Sequence, residues 1–381
     1  MGVPLTEEQI AIGQAARQFA LDRLLPGAAQ RDQAGAYPLE FLEELAGLGL
    51  LAMKVHEDDG GSGVDNVAYL LAMAGIAEGC ASTAVILASS NLASQILGIH
   101  GSPAQKETWL RPYAEGRLGP ASFALSEPHC GSDAAALRTT ARLDGDDYVL
   151  DGSKMWITSG AHAGFHLVFA RTGPGSGGIS CFVVPGDASG LSTGREEDKM
   201  GQRASGTVAL HLDKCRVPVD HRVGEEGRGY PIALSALGGG RVGIAGLCLG
   251  LAEAAFAEGL RYAADRTAFG KPVLDFQNSR FVLADARTEL DAAWLMAIRA
   301  ATLLDRDGRA PMASSMAKLY ASEVCDRVVD RMLQLHGGYG YSREYRIEQL
   351  YRDARVTRIY EGSSEIQRLL IGRELARHAA R

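Results

Sequence analysis

The chain has 381 residues, 46% hydrophobic and 22% charged, with a net charge of −7. That length and balance suit two or three ordinary globular domains of roughly 100–200 residues each. The acidic balance, with no long basic run, disfavours a nucleic-acid partner, although one local arginine cluster can still bind an anion. No window approaches about 18 uninterrupted apolar residues, so no membrane span is expected.

Six cysteines (Cys80, Cys130, Cys181, Cys215, Cys248, Cys325) are scattered without a CxxC pair. This argues against a disulfide framework or a zinc site and for reduced, mostly buried thiols in a reducing compartment. The opening MGVPLTEEQI has neither the basic nor the apolar part of a secretory signal. A cytoplasmic location is expected, or an organelle matrix if a presequence has been removed. Gly2 and Thr6 fit a loose myristoylation pattern, but Thr6-Glu7-Glu8-Gln9 reads better as a capping box opening a helix.

Residues 1–120 read as an N-terminal helical domain. Ile10, Ala11, Ala15, Phe19 and Leu24 recur at helical spacing until Pro26 and Gly27 stop the segment. EFLEELAGLGLL and the Ala-rich stretch from Val67 to Gly98 are similar, with a break at DDGGSGVD. Residues 121–228 change texture into a middle β domain. DGDDYVLDG and GSKMWITSG are short β-prone runs set off by Asp-Gly turns, and HLVFART, ISCFVVPG and TVALHLDKCRVP continue the pattern. Such spacing predicts a small barrel or sandwich. Helical periodicity returns over 229–381, where Met316, Leu319, Val324, Val328, Met332 and Leu335 fall on one stripe and Gly337 and Gly338 end it.

No GxGxxG follows a strand, and LGGGR at Leu237–Arg241 sits where a helix starts, so a Rossmann site is not expected. The histidines are isolated, and no metal constellation is present. The segment FALSEPHCGSDAAA, Phe123 to Ala136, joins a strand end to a Pro, a Gly and several hydroxyls. Such a loop can cradle an anion or a polar ring edge, or it can be a capped turn.

SEPHCGSD followed some twenty residues later by KMWITSG resembles the acyl-CoA dehydrogenase family. RTAFGKPVLDFQ at Arg266–Gln277, then LHGGYGY and RIYEGSSEIQR, complete four motifs in family order across essentially the whole chain. LGGGR, ISCFVV and HGGYGY look most like the isobutyryl-CoA and other short branched-chain members. The resemblance implies a mainly α fold with a β domain: an N-terminal helical domain, a middle β-barrel and a C-terminal four-helix bundle, as a homotetramer. It implies FAD as cofactor and α,β-dehydrogenation of a saturated acyl-CoA, with electrons passed to an electron-transferring flavoprotein.

Roles carry over by matching position. Phe123, Leu125 and Ser126 would touch the flavin ring, and Ser132 would lie near the phosphates or the thioester ligand. Trp156, Ile157 and Thr158 would line one face of the ring. Arg266, Phe269 and Gln277, with Gln334, Leu335, Gly337 and Gly338, would hold the adenosine diphosphate half across a subunit interface, and Ser363 and Ser364 would complete that pocket. Glu361 would be the base that takes the α-proton while the β-hydride goes to flavin N5. Tyr360, Gly362 and Arg241 would contact the acyl-CoA. In isovaleryl and long-chain relatives the base precedes the arginine matching Arg241; here that position is Gly240, which cannot serve. Medium- and short-chain relatives often carry an Asp where this chain has Gly238. The rivals are an acyl-CoA oxidase, a carrier-protein-thioester dehydrogenase and a non-catalytic DNA-binding flavoprotein on the same scaffold.

Overall fold

The structure is a computed structural model describing residues 4–380. Helix α1 (Glu7–Phe19) opens with the expected capping box: Gln9 N–H donates to Thr6 Oγ1 at 3.1 Å and Thr6 N–H to Gln9 Oε1 at 3.0 Å. Gly2 lies outside the described residues. Pro26 and Gly27 do not stop the chain. It passes through a π turn (Ala20–Leu24) and a 3-10 turn (Leu25–Gly27) into α2 (Ala28–Ala34), ended by left-handed Gly35. The buried face also differs from the expected one. Leu24 is buried as expected and Phe19 packs half-buried on the core, but the other buried positions are Ala16 and Ala20, whereas Ile10 is 40% exposed and Ala11 and Ala15 face solvent. Small residues make this contact: a Cβ on Gly79 would lie 2.5 Å from the Ala20 carbonyl oxygen.

After α3 (Leu42–Gly47) come α4 (Asn66–Gly79), capped by Asp65, and α5 (Ala81–His100). Short helices α6 (Pro103–Gln105) and α7 (Arg111–Ala114) lead to the sheet. Beyond the sheet, α8 (Gly229–Asp265) packs against α4 and α5. Both α5 and α8 are long and apolar enough to cross a membrane, yet 83% and 72% of their most apolar stretches are buried in the protein's own core. Serine, threonine and asparagine interrupt α5, and glycine dilutes α8, so neither shows as one continuous apolar run. The glycines let backbones meet: a Cβ at Gly250 would lie 2.0 Å from the Ala74 carbonyl oxygen. Here close approach outweighs glycine's entropic cost in a helix.

The strands are β1 (Ala121–Ala124), β2 (Thr140–Asp144), β3 (Asp147–Thr158), β4 (Phe165–Arg171), β5 (Ile179–Pro185), β6 (Leu191–Thr193), β7 (Thr207–Pro218) and β8 (Arg222–Val223). They form one sheet in the order β6-β7-β3-β2-β4-β5-β8, with β1 alongside β4. β4 and β5 are buried almost throughout because one face meets the helices (Phe165, Leu167, Val183) and the other the sheet's own core (Val168, Phe182, Val184). That accounts for their unbroken apolar runs. Asp144-Gly145 is a turn as expected, but Asp151-Gly152 is not. Gly152 sits at a register shift inside β3, so the two β-prone runs are one twelve-residue strand.

The hairpin β9 (Thr267–Ala268) and β10 (Lys271–Pro272) precedes α9 (Gln277–Asp307), α10 (Pro311–His336), α11 (Arg346–Arg355) and α12 (Ser364–Ala379). Gly337, at φ 58°, caps α10. Of its expected stripe, Val324, Val328 and Met332 are buried. The first half instead buries Ala313, Ser314, Ser315, Ala317, Lys318, Ala321 and Ser322, while Met316, Leu319 and Leu335 are half-buried. Ala313, Ala317 and Ala321 join the helical core, and Lys318 reaches the Gly362 carbonyl.

Candidate active site

Between α11 and α12 the chain makes a turn in which Glu361 (φ 49°) and Gly362 (φ 88°) are both left-handed. A glutamate pays about 1–2 kcal/mol for that conformation, so its surroundings must hold it. Lys318 Nζ of α10 donates to the Gly362 carbonyl at 2.8 Å. Gln367 Nε2 of α12 donates to the same oxygen at 2.9 Å and to the Glu361 carbonyl at 3.3 Å. Ser363 caps α12, its Oγ accepting from Ile366 N–H at 3.4 Å. Tyr360 Oη accepts from Gln202 Nε2 at 3.3 Å, and that amide also donates to the Asp353 carbonyl at 3.0 Å.

The opposing wall is α8. A Cβ at Gly240 would stand 3.1 Å from Glu361 Oε2 and 3.5 Å from Leu92 Cδ1 of α5. The missing side chain therefore clears space in front of the carboxylate. Arg241 is only 9% exposed and has no carboxylate partner among the described residues. Burial pushes the Glu361 carboxyl up to about 7, and the Lys318 and Arg241 cations limit the rise. A carboxyl tuned near neutrality beside two cations is suited to accept a proton.

A second group sits at the sheet edge. Leu125 and Ser126 leave β1 and are held to β3: Met155 N–H donates to the Ser126 carbonyl at 2.9 Å and Lys154 Nζ to the Leu125 carbonyl at 3.3 Å. Lys154, fully buried, pairs with buried Glu127 at 2.7 Å. Trp156, at φ 63°, is 60% exposed, whereas Ile157 is 1% exposed with its side chain in the sheet core. Ile157 can thus offer a ring only its backbone. Phe123 packs on Phe169 at 5.1 Å and Thr158 is half-buried, while Ser132 lies exposed on the loop.

The third group lines a cavity of about 570 Å³ that gathers Arg266, Gln334, Leu335, Gly337 and Gly338. Arg266 makes no ion pair among the described residues; its guanidinium lies 5.3 Å from the Tyr339 ring. Glu258, one carboxylate within reach in sequence, is engaged with Arg261 instead. Phe269 projects from the β9–β10 hairpin 96% exposed, and Gln277 starts α9 in the open.

Glu361, Gly362, Ser363, Ser364, Tyr360 and Arg241 thus converge. Sequence reasoning missed Lys318, Gln367 and the Lys154–Glu127 pair, because a lone lysine or glutamine in a helical or strand pattern carries no local signal. Four buried polar atoms around the base find no partner within the described chain: Glu361 Oε2, Arg241 Nε, Ser364 Oγ and Gln367 Oε1. Buried polar groups are normally satisfied, so this set fits a site that takes a polar cofactor and substrate.

Comparison with known proteins agrees. The acyl-CoA dehydrogenase family matches through its N-terminal domain over residues 6–117, its middle domain over 122–215 and its C-terminal domain over 227–376. The mitochondrial short-chain specific acyl-CoA dehydrogenase of Rattus norvegicus is 44% identical, over 98% of this chain and 92% of that protein. Butyryl-CoA dehydrogenase from Megasphaera elsdenii superposes with a TM-score of 0.95 at 37% identity, covering 99% of this chain and 100% of that one. A glutaryl-CoA dehydrogenase from Mycobacterium smegmatis, described in complex with FADH2, gives 0.93 at 32% identity, covering 97% and 95%. The chain belongs to the acyl-CoA dehydrogenase family and is a flavin-dependent enzyme of acyl-CoA dehydrogenation with FAD as its cofactor.

Proposed function

We propose that the substrate is a short saturated acyl-CoA and that Glu361 is the base that removes its α-proton. The observation that carries this is the Glu361 carboxylate itself, its Oε2 sealed from solvent, facing the clearing at Gly240 and flanked by Arg241 and Lys318. A thioester α-proton is a very weak acid, so the oxygen that becomes negative needs donors preset around it. The fixed Glu361–Gly362 turn offers backbone N–H groups for that task, and glycine at 362 leaves room for the thioester. Bound FAD supplies the acceptor for the β-hydride. The sheet-edge residues Phe123, Leu125, Ser126, Trp156 and Thr158 would bind its ring, and Arg266, Gln334, Leu335, Gly337 and Gly338 its adenosine diphosphate half. Short-chain preference draws support from the names of the relatives, rat and Megasphaera alike; the branched-chain version rests only on LGGGR, ISCFVV and HGGYGY.

Two further parts of the reading are an electron-transferring flavoprotein as acceptor and a homotetramer in which Arg266, Phe269 and Gln277 reach a neighbour's cofactor. Comparing reoxidation by dye and by O₂ separates the dehydrogenase from an oxidase. The central test is Glu361→Gln. The amide keeps the shape and the backbone N–H but cannot take a proton. The variant should retain FAD and bind butyryl-CoA, yet bleach the flavin slower by on the order of 10²–10⁴. Bleaching at the native rate would reject Glu361 as the base. A panel from butyryl- and isobutyryl- to dodecanoyl-CoA tests chain length, and fastest turnover on the twelve-carbon chain would reject the substrate class.

A further inference from the structure

Lys318 has a burial that packing alone does not explain. Its side chain is fully enclosed on α10, and no carboxylate lies within ion-pair distance among the described residues. Burying an ammonium without a close counter-ion is costly, and burial does pull this amine's pKa down, opposed in part by the Glu361 carboxylate. What the ammonium does touch is the carbonyl of Gly362. Gln367, equally buried, takes the same carbonyl and that of Glu361. Three donated hydrogen bonds therefore converge on the two carbonyls of one strained turn, from a helix on either side.

The groups facing Glu361 come from every element packed on it. Arg241 lies on α8, Lys318 on α10 and the Tyr69 phenol on α4, with Tyr360 adjacent in the chain. The two phenols are neutral at working pH, since burial raises both far above the ordinary range. The fixed charges are thus two cations and one carboxylate. Of the two cations, only Lys318 is tied to the turn that carries the base.

Resting on the reading of Glu361 as the base, we propose that Lys318 is its positioning residue: the buried ammonium holds the Glu361–Gly362 turn through the Gly362 carbonyl and keeps a positive charge behind the carboxylate. The positive charge favours the ionised carboxylate. When the α-proton moves to Glu361, the carboxylate becomes neutral while the Lys318 ammonium stays in place on the Gly362 carbonyl. No atom of Lys318 enters the reaction.

The test uses the FAD-loaded enzyme and butyryl-CoA, following flavin bleaching from pH 6 to 9. Lys318→Gln keeps a donor for the turn and removes the charge. Loss of a favourable cation raises the pKa of Glu361, so the acid limb of the rate profile should move up by about one pH unit, and the deficit should shrink as the pH rises. Lys318→Arg should return the limb toward its native position. Lys318→Met, which removes charge and donor, should lose more than tenfold at every pH while FAD content stays near one per chain. An unmoved limb in Lys318→Gln, or a deficit equal at all pH and unrelieved by arginine, overturns the inference. If Lys318→Met fails to fold, the Gln and Arg profiles still decide. Glu361→Gln run in parallel separates the two readings. A native rate there rejects the base itself, whereas a slow Glu361→Gln beside an unmoved Lys318→Gln limb rejects only the role of Lys318.

Discussion

Around Glu361, helices α8, α10 and α12 close on a turn whose carbonyls are held by Lys318 and Gln367, and the polar atoms left over are buried. At the β9–β10 hairpin the balance is reversed: Phe269 stands 96% in solvent with the Phe276 ring centroid 6.1 Å away, and Arg266 rests on Tyr339 with no carboxylate partner among the described residues. Both residues needing explanation, Glu361 and Phe269, share a left-handed backbone, at φ 49° and 51°. The difference lies in what is missing from each. Buried polar atoms without partners are matched by something small and polar entering the fold. A large apolar side chain held out at positive φ fits the proposal that a neighbouring subunit lies over the hairpin. The first region should therefore fail in chemistry when altered, and the second in retention of cofactor and partner.

The sharpest way to test the first half exploits Gly240. On a Glu361→Gln background, Gly240→Glu brings a carboxylate from α8 to within reach of the same space, since even a Cβ there lies 3.1 Å from the original Oε2. At least about tenfold of the loss of 10²–10⁴ should return, with chain-length preference shortened because the new group occupies the acyl space. A double variant no faster than Glu361→Gln would mean that the two positions do not address the same substrate carbon. Gly362→Ala should come next in size. An L-residue at φ 88° costs about 1–2 kcal/mol, and its Cβ would lie 2.6 Å from Gln367 Nε2. Bleaching should fall roughly ten- to thirtyfold with FAD retained. Loss of FAD without loss of intrinsic rate would show that the turn serves the cofactor instead.

The pH profile of the unaltered enzyme is a gentler probe. The carboxyl of Glu361 is raised to about 7 by burial, and only its ionised form accepts a proton. Below that pH kcat/KM should fall about tenfold per unit, and above it the curve should level off, because kcat/KM reports the free enzyme. The same sign applies to stability. A carboxyl whose folded pKa lies above its unfolded value favours the folded state most when protonated, so this residue's contribution to stability declines as the pH rises through about 7. A profile flat from pH 6 to 8 would contradict the assignment.

Much of this arrangement is legible in the sequence, for unequal reasons. Glu361, Arg241 and the glycines beside them lie in short motifs that resemble the family's, so their expected roles can be read one segment at a time. Lys318 and Gln367 cannot, because their meaning comes from a turn more than forty residues away from Lys318 and from a helix packed across it. The same limit explains the misread face of α1. An apolar stripe weights Ile10 and Phe19, but the close packing on α4 selects Ala16 and Ala20 because only small residues let the backbones meet. It also explains Asp151-Gly152, a turn signal by composition that tertiary pairing with β7 turns into a bulge.

The smallest effect on the fold, and the one that tests the second half, is expected from Phe269→Ala. So little of this side chain is buried within its own chain that its removal should change the stability of the flavin-free chain by less than about 0.5 kcal/mol, as for other surface positions. The alanine also relieves part of the strain of a bulky residue at positive φ. If the hairpin lies over a neighbour's cofactor, the same change should lower the FAD content per chain and shift the assembly toward smaller species, both readable by absorbance during size-exclusion chromatography. Arg266→Ala should act in the same direction, because it removes the exposed cation of the cavity that holds Gln334 and Gly337. Neither change should alter the bleaching rate of chains that still carry FAD, since neither residue belongs to the Glu361 group. A Phe269→Ala protein with native FAD content and native assembly, but slower bleaching per flavin, would merge the two regions into one and remove the contrast between them.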